Sequence, residues 1–204
     1  MGSRVQTGSG IPENIMVHDP AQAKRLLRQR LRQQRRLLNL TQQAAAAQAL
    51  AAYAPLLRRY RRIAAYLPSD GEIDPQRLLQ RLQRRAYLPC LQGQSLCFRI
   101  SGSALKEHRL GVQQPARGRP YALWQLDAVL LPLVAFDRQG HRLGRGGGYY
   151  DRAIAELDRR PRRPRLIGLA HHFQGLQQLP TEAWDQALDA LICDRYARFF
   201  TKKS

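Results

Sequence analysis

The run His141-Arg-Leu-Gly-Arg-Gly-Gly-Gly-Tyr-Tyr-Asp-Arg152 gathers the residue types that hold phosphate. Gly144, Gly146, Gly147 and Gly148 lack Cβ atoms, so their amides can approach an anion closely and adopt positive φ. Successive amides form an anion-binding concavity, and a helix starting after them adds partial positive charge. Arg142 and Arg145 supply charge-assisted hydrogen bonds to phosphate oxygens. The run is neither a P-loop, GxxxxGK followed by Ser or Thr, nor the dinucleotide fingerprint GxGxxG. A plain flexible turn would use the glycines without needing the flanking arginines, the tyrosine pair and the acid. Tyr149 and Tyr150 offer flat faces to a heterocycle, with core packing the alternative for one of the two. Asp151 suits magnesium, a hard cation that bridges phosphates through one or two carboxylates. The alternative for Asp151 is an acid favoured in a helix's first turn by the dipole.

Such residues need a rigid mount, and the neighbouring segments provide one. Residues 127–136, DAVLLPLVAF, are the most apolar stretch and read as a central strand that bends or ends at Pro132, since proline cannot donate to a ladder. Residues 150–157 read as a helix. A loop between strand and helix is where open α/β sheets capture ligands.

Elsewhere, Asp19-Pro20 is a helix start, an acceptor followed by proline at the first helical position. Residues 24–38 put Leu27 and Leu31 on one face. Thr41 reads as the cap of an Ala-rich helix over 42–53. Residues 62–67 form a strand expectation, 68–71 a loop, and Asp74-Pro75 a second helix start running to about residue 85. Strands are expected at 86–88, 96–100, 165–170 and 190–193, with 101–121 as loop. Strands alternating with helices predict one α/β domain over residues 20–200, a mainly parallel sheet flanked by helices on both faces. Residues 1–19 mix Gly, Ser and Pro without period and read as a flexible leader.

Composition narrows the class. A chain of 204 residues with 44% hydrophobic content can build its core without disulfides. Cys90, Cys97 and Cys193 show no CxxC pair and no zinc-ligand spacing, so they read as reduced thiols of a cytoplasmic protein. No apolar run has the length of a membrane span. The formal charge of +19 would suit a nucleic-acid binder, but the arginines are spread along the chain and no nucleic-acid-binding motif accompanies them. An Arg-rich solvated surface, or one tuned to a small anionic substrate, accounts for it.

With these residues in place, the sequence resembles the 5-formyltetrahydrofolate cyclo-ligase family over residues 22–194. The specific block is Pro132-Leu-Val-Ala-Phe-Asp-Arg-Gln-Gly140 followed by Arg142-Leu-Gly-Arg-Gly-Gly-Gly-Tyr-Tyr-Asp151. Lys24-Arg-Leu-Leu-Arg28, Tyr66-Leu-Pro-Ser-Asp-Gly-Glu-Ile-Asp74 and Leu179-Pro-Thr-Glu-Ala-Trp-Asp185 follow the family order as weaker blocks. Gly147 stands where some members carry a basic residue.

The resemblance implies an enzyme that uses ATP and Mg2+ to cyclise 5-formyltetrahydrofolate, free or polyglutamated, to 5,10-methenyltetrahydrofolate. It implies that Lys24, Arg25 and Arg28 contact ATP phosphates and that the run Arg142, Leu143, Gly144, Arg145, Gly146, Gly147, Gly148, Tyr149 and Tyr150 wraps the triphosphate. Arg28, Leu67, Glu72, Arg145 and Tyr149 are the implied substrate contacts, with Arg145, Tyr149 and Lys24 closest to the chemistry. Asp151 and Asp185 are the implied metal ligands, Asp189 being the alternative to Asp185. A cytoplasmic monomer without nucleic-acid or membrane partners is the expectation. A non-catalytic relative that binds the same ligands and a nucleic-acid-binding protein are the alternatives. Adjacent histidines on a strand face opposite ways, so His171 and His172 are expected to be structural.

Overall fold

The most apolar segment becomes the middle of the molecule. The computed structural model describes residues 19–93, 95–108, 113–160, 162–182 and 184–201, so the expected leader, Asp19 apart, lies outside the described residues. In chain order the elements are α1 (Pro20–Arg36), α2 (Leu40–Ala51), β1 (Ile63–Ala64), α3 (Gln76–Arg81), β2 (Tyr87–Gln92), β3 (Ser95–Ile100), β4 (Leu105–Glu107) and β5 (Gln113–Pro115). They continue with β6 (Ala128–Pro132), β7 (Ala135–Phe136), β8 (Arg142–Leu143), α4 (Tyr149–Ala155), β9 (Arg165–Ala170), β10 (Ala190–Cys193) and β11 (Ala197–Phe199).

The main sheet has the order β11-β10-β9-β6-β1-β2-β3, parallel from β10 to β2 and closed at each edge by an antiparallel strand. Strand β6 pairs with β1 through Ile63↔Ala128 and with β9 through Leu130↔Ile167. Alternation along it divides the core. Leu130 joins Leu50, Leu57, Ile73 and Leu78 beneath α2 and α3, while Val129 and Leu131 join Phe98, Leu123 and Ile154 beneath α4. Burial on both faces explains why this strand is apolar throughout, each leucine contributing about 1.5–3 kcal/mol. A third cluster of Leu31, Val134, Ala135, Leu143 and Leu179 ties α1 to β7 and β8.

Helix α1 starts as expected, with Asp19 accepting from the Ala21 amide at 2.9 Å and proline in the first turn. Helix α2 corrects the sequence reading. Asn39, not Thr41, is its cap: Asn39 Oδ1 accepts from the Gln42 amide at 2.9 Å and Gln42 Oε1 accepts from the Asn39 amide at 2.9 Å. This reciprocal box satisfies two otherwise orphaned donors, which Thr41 cannot do from inside the helix. Helix α3 stops at Arg81 rather than residue 85, because Gln83 turns to φ +54. Residues 101–121 contain the small hairpin of β4 and β5, and β11 was not foreseen. None of the helices among the described residues is long and apolar enough to cross a membrane.

Candidate active site

A cleft of about 460 Å³ opens at the carboxyl ends of β1 and β6. One wall is the glycine run, from Arg142 and Gly144 to Asp151; facing it is the loop Leu67, Pro68, Ser69 and Glu72. Tyr66, Leu131, Pro132 and Tyr150 form the floor, and Pro89, Leu91, Leu96 and Gln113 close the third side.

The glycine run is a shaped turn. Gly148 caps α4 at φ +65, and a Cβ there would come within 2.7 Å of Arg152 Nη1. The positive φ is what favours glycine here, since the tip of the Arg152 side chain could swing aside. Helix α4 has only seven residues and its cap has no side-chain hydrogen bond, so its first amides stay open. The dipole of so short a helix is small, and most positive potential comes from arginines. Behind the turn, buried Asp137 accepts from the amides of Gln139 and His141 at 2.9 Å, from His141 Nδ1 at 2.8 Å and from the Leu179 amide at 3.2 Å. Gln174, also buried, donates to the Leu133 and Val134 carbonyls at 2.9 and 2.8 Å. These side chains fix the β6–β7–β8 path that leads into the run.

Arg145 spans the cleft. Its Nη1 donates to Ser69 Oγ at 2.7 Å and lies 3.7 Å from Glu72 Oε1, and the side chain is 44% exposed. Glu72 is buried, with Oε2 accepting from the Ser69 amide at 3.1 Å. Its Oε1 has no hydrogen-bond partner among the described residues. Burial pushes the Glu72 carboxyl above its ordinary range, and the charges of Arg145 and Arg35 partly restrain it.

Arg142 pairs with Asp151 and donates to the Gln186 carbonyl. Burial pulls its guanidinium below the ordinary range, opposed by Asp151 and Asp185. Lys24 lies behind, its Nζ 2.5 Å from Glu182 Oε2 and 2.6 Å from Asp185 Oδ2. Burial disfavours the Lys24 charge, but these two acids outweigh it and raise its pKa. Arg28 Nε donates to the Gly144 carbonyl at 2.9 Å, supporting the run from α1.

Of the residues named from sequence, Leu67, Glu72, Arg142, Gly144, Arg145, Gly146, Gly147, Gly148, Tyr149, Tyr150 and Asp151 line the cleft. Lys24, Arg28 and Asp185 stand behind its charged wall. Arg25 is exposed on α1, and the Leu143 side chain is buried in the third cluster, so it anchors the wall from inside. Tyr149 lies under the Arg152 guanidinium at 4.9 Å, whereas Tyr150 packs against the core, and burial raises the pKa of its hydroxyl. Asp189 sits at the opposite end of the sheet, accepting from the Leu166 amide at 2.8 Å. That leaves Asp185 as the carboxylate beside Lys24 and Arg142. His171 is buried and donates from Nε2 to the Gly71 carbonyl at 3.0 Å, a structural role.

Sequence reasoning missed Glu182 as the second acid on Lys24, and the apolar wall of Pro89, Leu91 and Leu96. The signal for the wall existed. Alternate residues of one strand share a face, but the strand was read as three residues instead of six.

The model of the 5-formyltetrahydrofolate cyclo-ligase family matches residues 20–194. The 5-formyltetrahydrofolate cyclo-ligase of Escherichia coli K12 is 36% identical over 176 residues, 79% of this chain and 95% of that protein. The Haemophilus influenzae protein of the same name is 34% identical over 185 residues, 84% of this chain and 98% of its own. Two 5,10-methenyltetrahydrofolate synthetase structures superpose. That from Aquifex aeolicus has a TM-score of 0.76 at 27% identity, covering 89% of this chain and 94% of its own. That from Mycoplasma pneumoniae has a TM-score of 0.67 at 28% identity, covering 84% and 99%. The family model and these relatives span nearly the whole described chain, which belongs to the 5-formyltetrahydrofolate cyclo-ligase family.

Proposed function

We propose that the cleft cyclises 5-formyltetrahydrofolate to 5,10-methenyltetrahydrofolate, using ATP and releasing ADP and phosphate. The observation that carries this reading is Arg145, which reaches from the phosphate-type wall to Ser69 and Glu72 on the opposite wall across one cleft. A folate bound against Glu72 and a nucleotide bound on the glycine run would therefore meet beside the Arg145 guanidinium.

The residues suit each part. The pterin edge presents adjacent N–H donors, and a carboxylate with an unused oxygen, as at Glu72, is the matching acceptor. Pro89, Leu91 and Leu96 offer an apolar surface to the rest of the folate ring system. Amides of residues 144–149, with Arg142 and Arg145, hold the triphosphate, while Arg28 supports them through Gly144. Lys24 offsets part of the charge of the two acids behind this wall, which lowers the repulsion that approaching phosphates meet there.

A formyl oxygen is a poor leaving group. Transfer of the γ-phosphoryl group to it converts it to phosphate and releases ADP. The lone pair of folate nitrogen-10 then attacks the formyl carbon, the carbon–oxygen bond breaks, phosphate departs and nitrogen-10 gives up its proton. Positioning and charge neutralisation carry most of such a transfer, so no protein nucleophile is needed. Arg145 and Tyr149 would stabilise charge on the transferring group.

Magnesium fits the donor set. Asp151 and Asp185 are carboxylates that both act on Arg142, and a cation arriving with phosphates needs only one or two such ligands besides water. When bound, it would neutralise phosphate charge. Purified protein mixed with 5-formyltetrahydrofolate, ATP and magnesium should develop the near-UV band of the methenyl product while releasing one ADP per turnover. No band, with ATP intact, would dismiss the activity.

A further inference from the structure

Arg35, near the end of α1, is only 1% exposed, although it is one of 34 cationic residues in a strongly basic chain. Burying a guanidinium this completely is unfavourable unless each face of it is used. Its Nε donates to the Asp70 carbonyl at 2.6 Å, Nη2 to Asp70 Oδ2 at 3.1 Å and Nη1 to the Leu133 carbonyl at 3.3 Å. The same Nη1 stands 3.9 Å from Glu72 Oε1, the carboxylate oxygen that has no hydrogen-bond partner among the described residues.

The loop that carries Glu72 is shaped around this contact. Asp70 sits at φ +55, a conformation few residues other than glycine adopt, and its carboxylate gathers Arg32, Arg35 and Arg36 from α1. A Cβ on Gly71 would come within 2.6 Å of the Arg35 carbonyl, so the loop backbone rests directly on the helix. Arg35 therefore links three features: α1, the turn after β6 at Leu133, and the acid on the wall that faces the glycine run.

The charged and titratable groups around Glu72 come from every element packed against it. Arg35 faces it from α1 and Arg145 from the glycine run, with Tyr66 from the chain after β1 and Tyr150 from α4. Ser69 donates to it from its own loop. Among the described residues the two arginines are the cations that act on Glu72, and they differ. Arg145 is half exposed and belongs to the wall assigned to the nucleotide, whereas Arg35 is immobilised. Once Arg145 turns toward a phosphate, Arg35 is the remaining fixed cation beside Glu72.

We propose that Arg35 is a positioning residue for folate binding: it orients Glu72 and keeps it ionised while Arg145 serves the nucleotide. The inference rests on the reading of Glu72 as the pterin acceptor, and it adds a residue that touches neither ligand. A carboxylate accepts from two pterin donors, whereas the protonated acid presents one donor of its own and clashes with them. Without the Arg35 charge, burial alone raises the pKa of Glu72, so ionisation is lost at a higher pH.

The test is the pH dependence of steady-state kinetics for Arg35→Met, Arg35→Lys, Glu72→Gln and the Arg35→Met/Glu72→Gln pair. In Arg35→Met, KM for 5-formyltetrahydrofolate should rise about tenfold or more while KM for ATP stays within about twofold. The acid limb of kcat/KM for the folate should move about one pH unit higher. Arg35→Lys keeps a charge but loses the fork, so its acid limb should stay with the parent while its folate KM rises. In the Glu72→Gln background, Arg35→Met should add nothing further to the folate KM. If Glu72→Gln raises the folate KM but Arg35→Met raises both KM values equally with the acid limb unmoved, the inference about Arg35 fails alone. If Glu72→Gln leaves the folate KM unchanged, the pterin assignment fails and takes this inference with it. Should Arg35→Met not fold, Arg35→Lys decides: an unchanged folate KM overturns the proposal.

Discussion

The two ends of the central sheet both carry acids among arginines, and they use them differently. At the amino end, Asp127 accepts from the Arg61 and Arg62 amides at 2.9 and 2.8 Å, and Asp189 from the Leu166 amide at 2.8 Å. Their cations stand farther off: Arg62 at 3.8 Å from Asp127, Arg163 and Arg165 at 3.6 and 3.7 Å from Asp189. The cavity there is small, about 130 Å³. At the carboxyl end, Asp151 and Asp185 pair directly with the side chains of Arg142 and Lys24, beside a cleft of about 460 Å³. An acid bonded to backbone holds strands in place. An acid bonded to a side-chain cation can exchange that partner for a ligand. Charge density alone does not distinguish a site from a brace; a side-chain cation as partner beside an open cleft does, whereas Asp70, paired with three arginines but outside the cleft lining, braces its loop.

That contrast can be broken by mutation, and the largest effect should come from the cleft. Arg145→Ala should lose about 10²–10³-fold in kcat with its melting temperature nearly unchanged, since its own side chain is half exposed and its main role is toward ligand. A variant that melts earlier and keeps its rate would make Arg145 a brace like Asp189. Asp151→Asn should shift the magnesium midpoint of turnover to higher concentration and slow the reaction, because the neutral amide is a poorer ligand for a hard cation. An unchanged metal titration would remove Asp151 from the metal site.

At the other end the signs reverse. Asp189→Ala should destabilise folding by about 1–3 kcal/mol, by leaving the buried Leu166 amide unpaired, while kcat and both KM values of the folded fraction stay put. Denaturant unfolding beside steady-state kinetics would check it.

The smallest effects should appear in pH titrations of stability. Burial lowers the pKa of His171 below its ordinary 6.5, so the folded state resists protonation and stability should start to fall as pH drops through that value. Asp70 follows: although burial opposes it, hydrogen bonds and charges from Arg36, Arg32 and Arg35 hold its carboxyl down at about 2. Its contribution is complete above the ordinary value of 3.8 and disappears as pH falls through about 2. Melting temperature against pH in wild type and Asp70→Asn should differ above pH 3.8 and converge below about 2. Parallel curves would contradict the Asp70 assignment.

Much of this was legible in the sequence, for identifiable reasons. The phosphate-type wall is local, since chain neighbours build it, so residues 142–151 displayed it directly. Strand β6 was legible because burial on both faces leaves an unbroken apolar run. The cap of α2 was also written out, as Asn39 and Gln42 three positions apart, but Thr41 drew attention from it. Arg35 is the instructive miss. Lys24, Arg28, Leu31 and Arg35 recur at helical spacing and form the inward face of α1, with Arg28 half-buried. That spacing sets Arg35 apart from exposed Arg36, but it does not say that the guanidinium is enclosed, because the Asp70 loop that encloses it is distant in sequence. The same holds for Gln113, which reaches the cleft only because β4 and β5 form a hairpin that has little apolar patterning.

The central claim, that one cleft holds nucleotide and folate on facing walls beside Arg145, is tested most directly by a crystal structure with ADP and 5-formyltetrahydrofolate bound. The account predicts phosphates on the amides of residues 144–149, the pterin on Glu72, and Arg145 moved off Ser69 toward the ligands. Nucleotide bound elsewhere, with Arg145 still donating to Ser69 and the glycine run untouched, would contradict it.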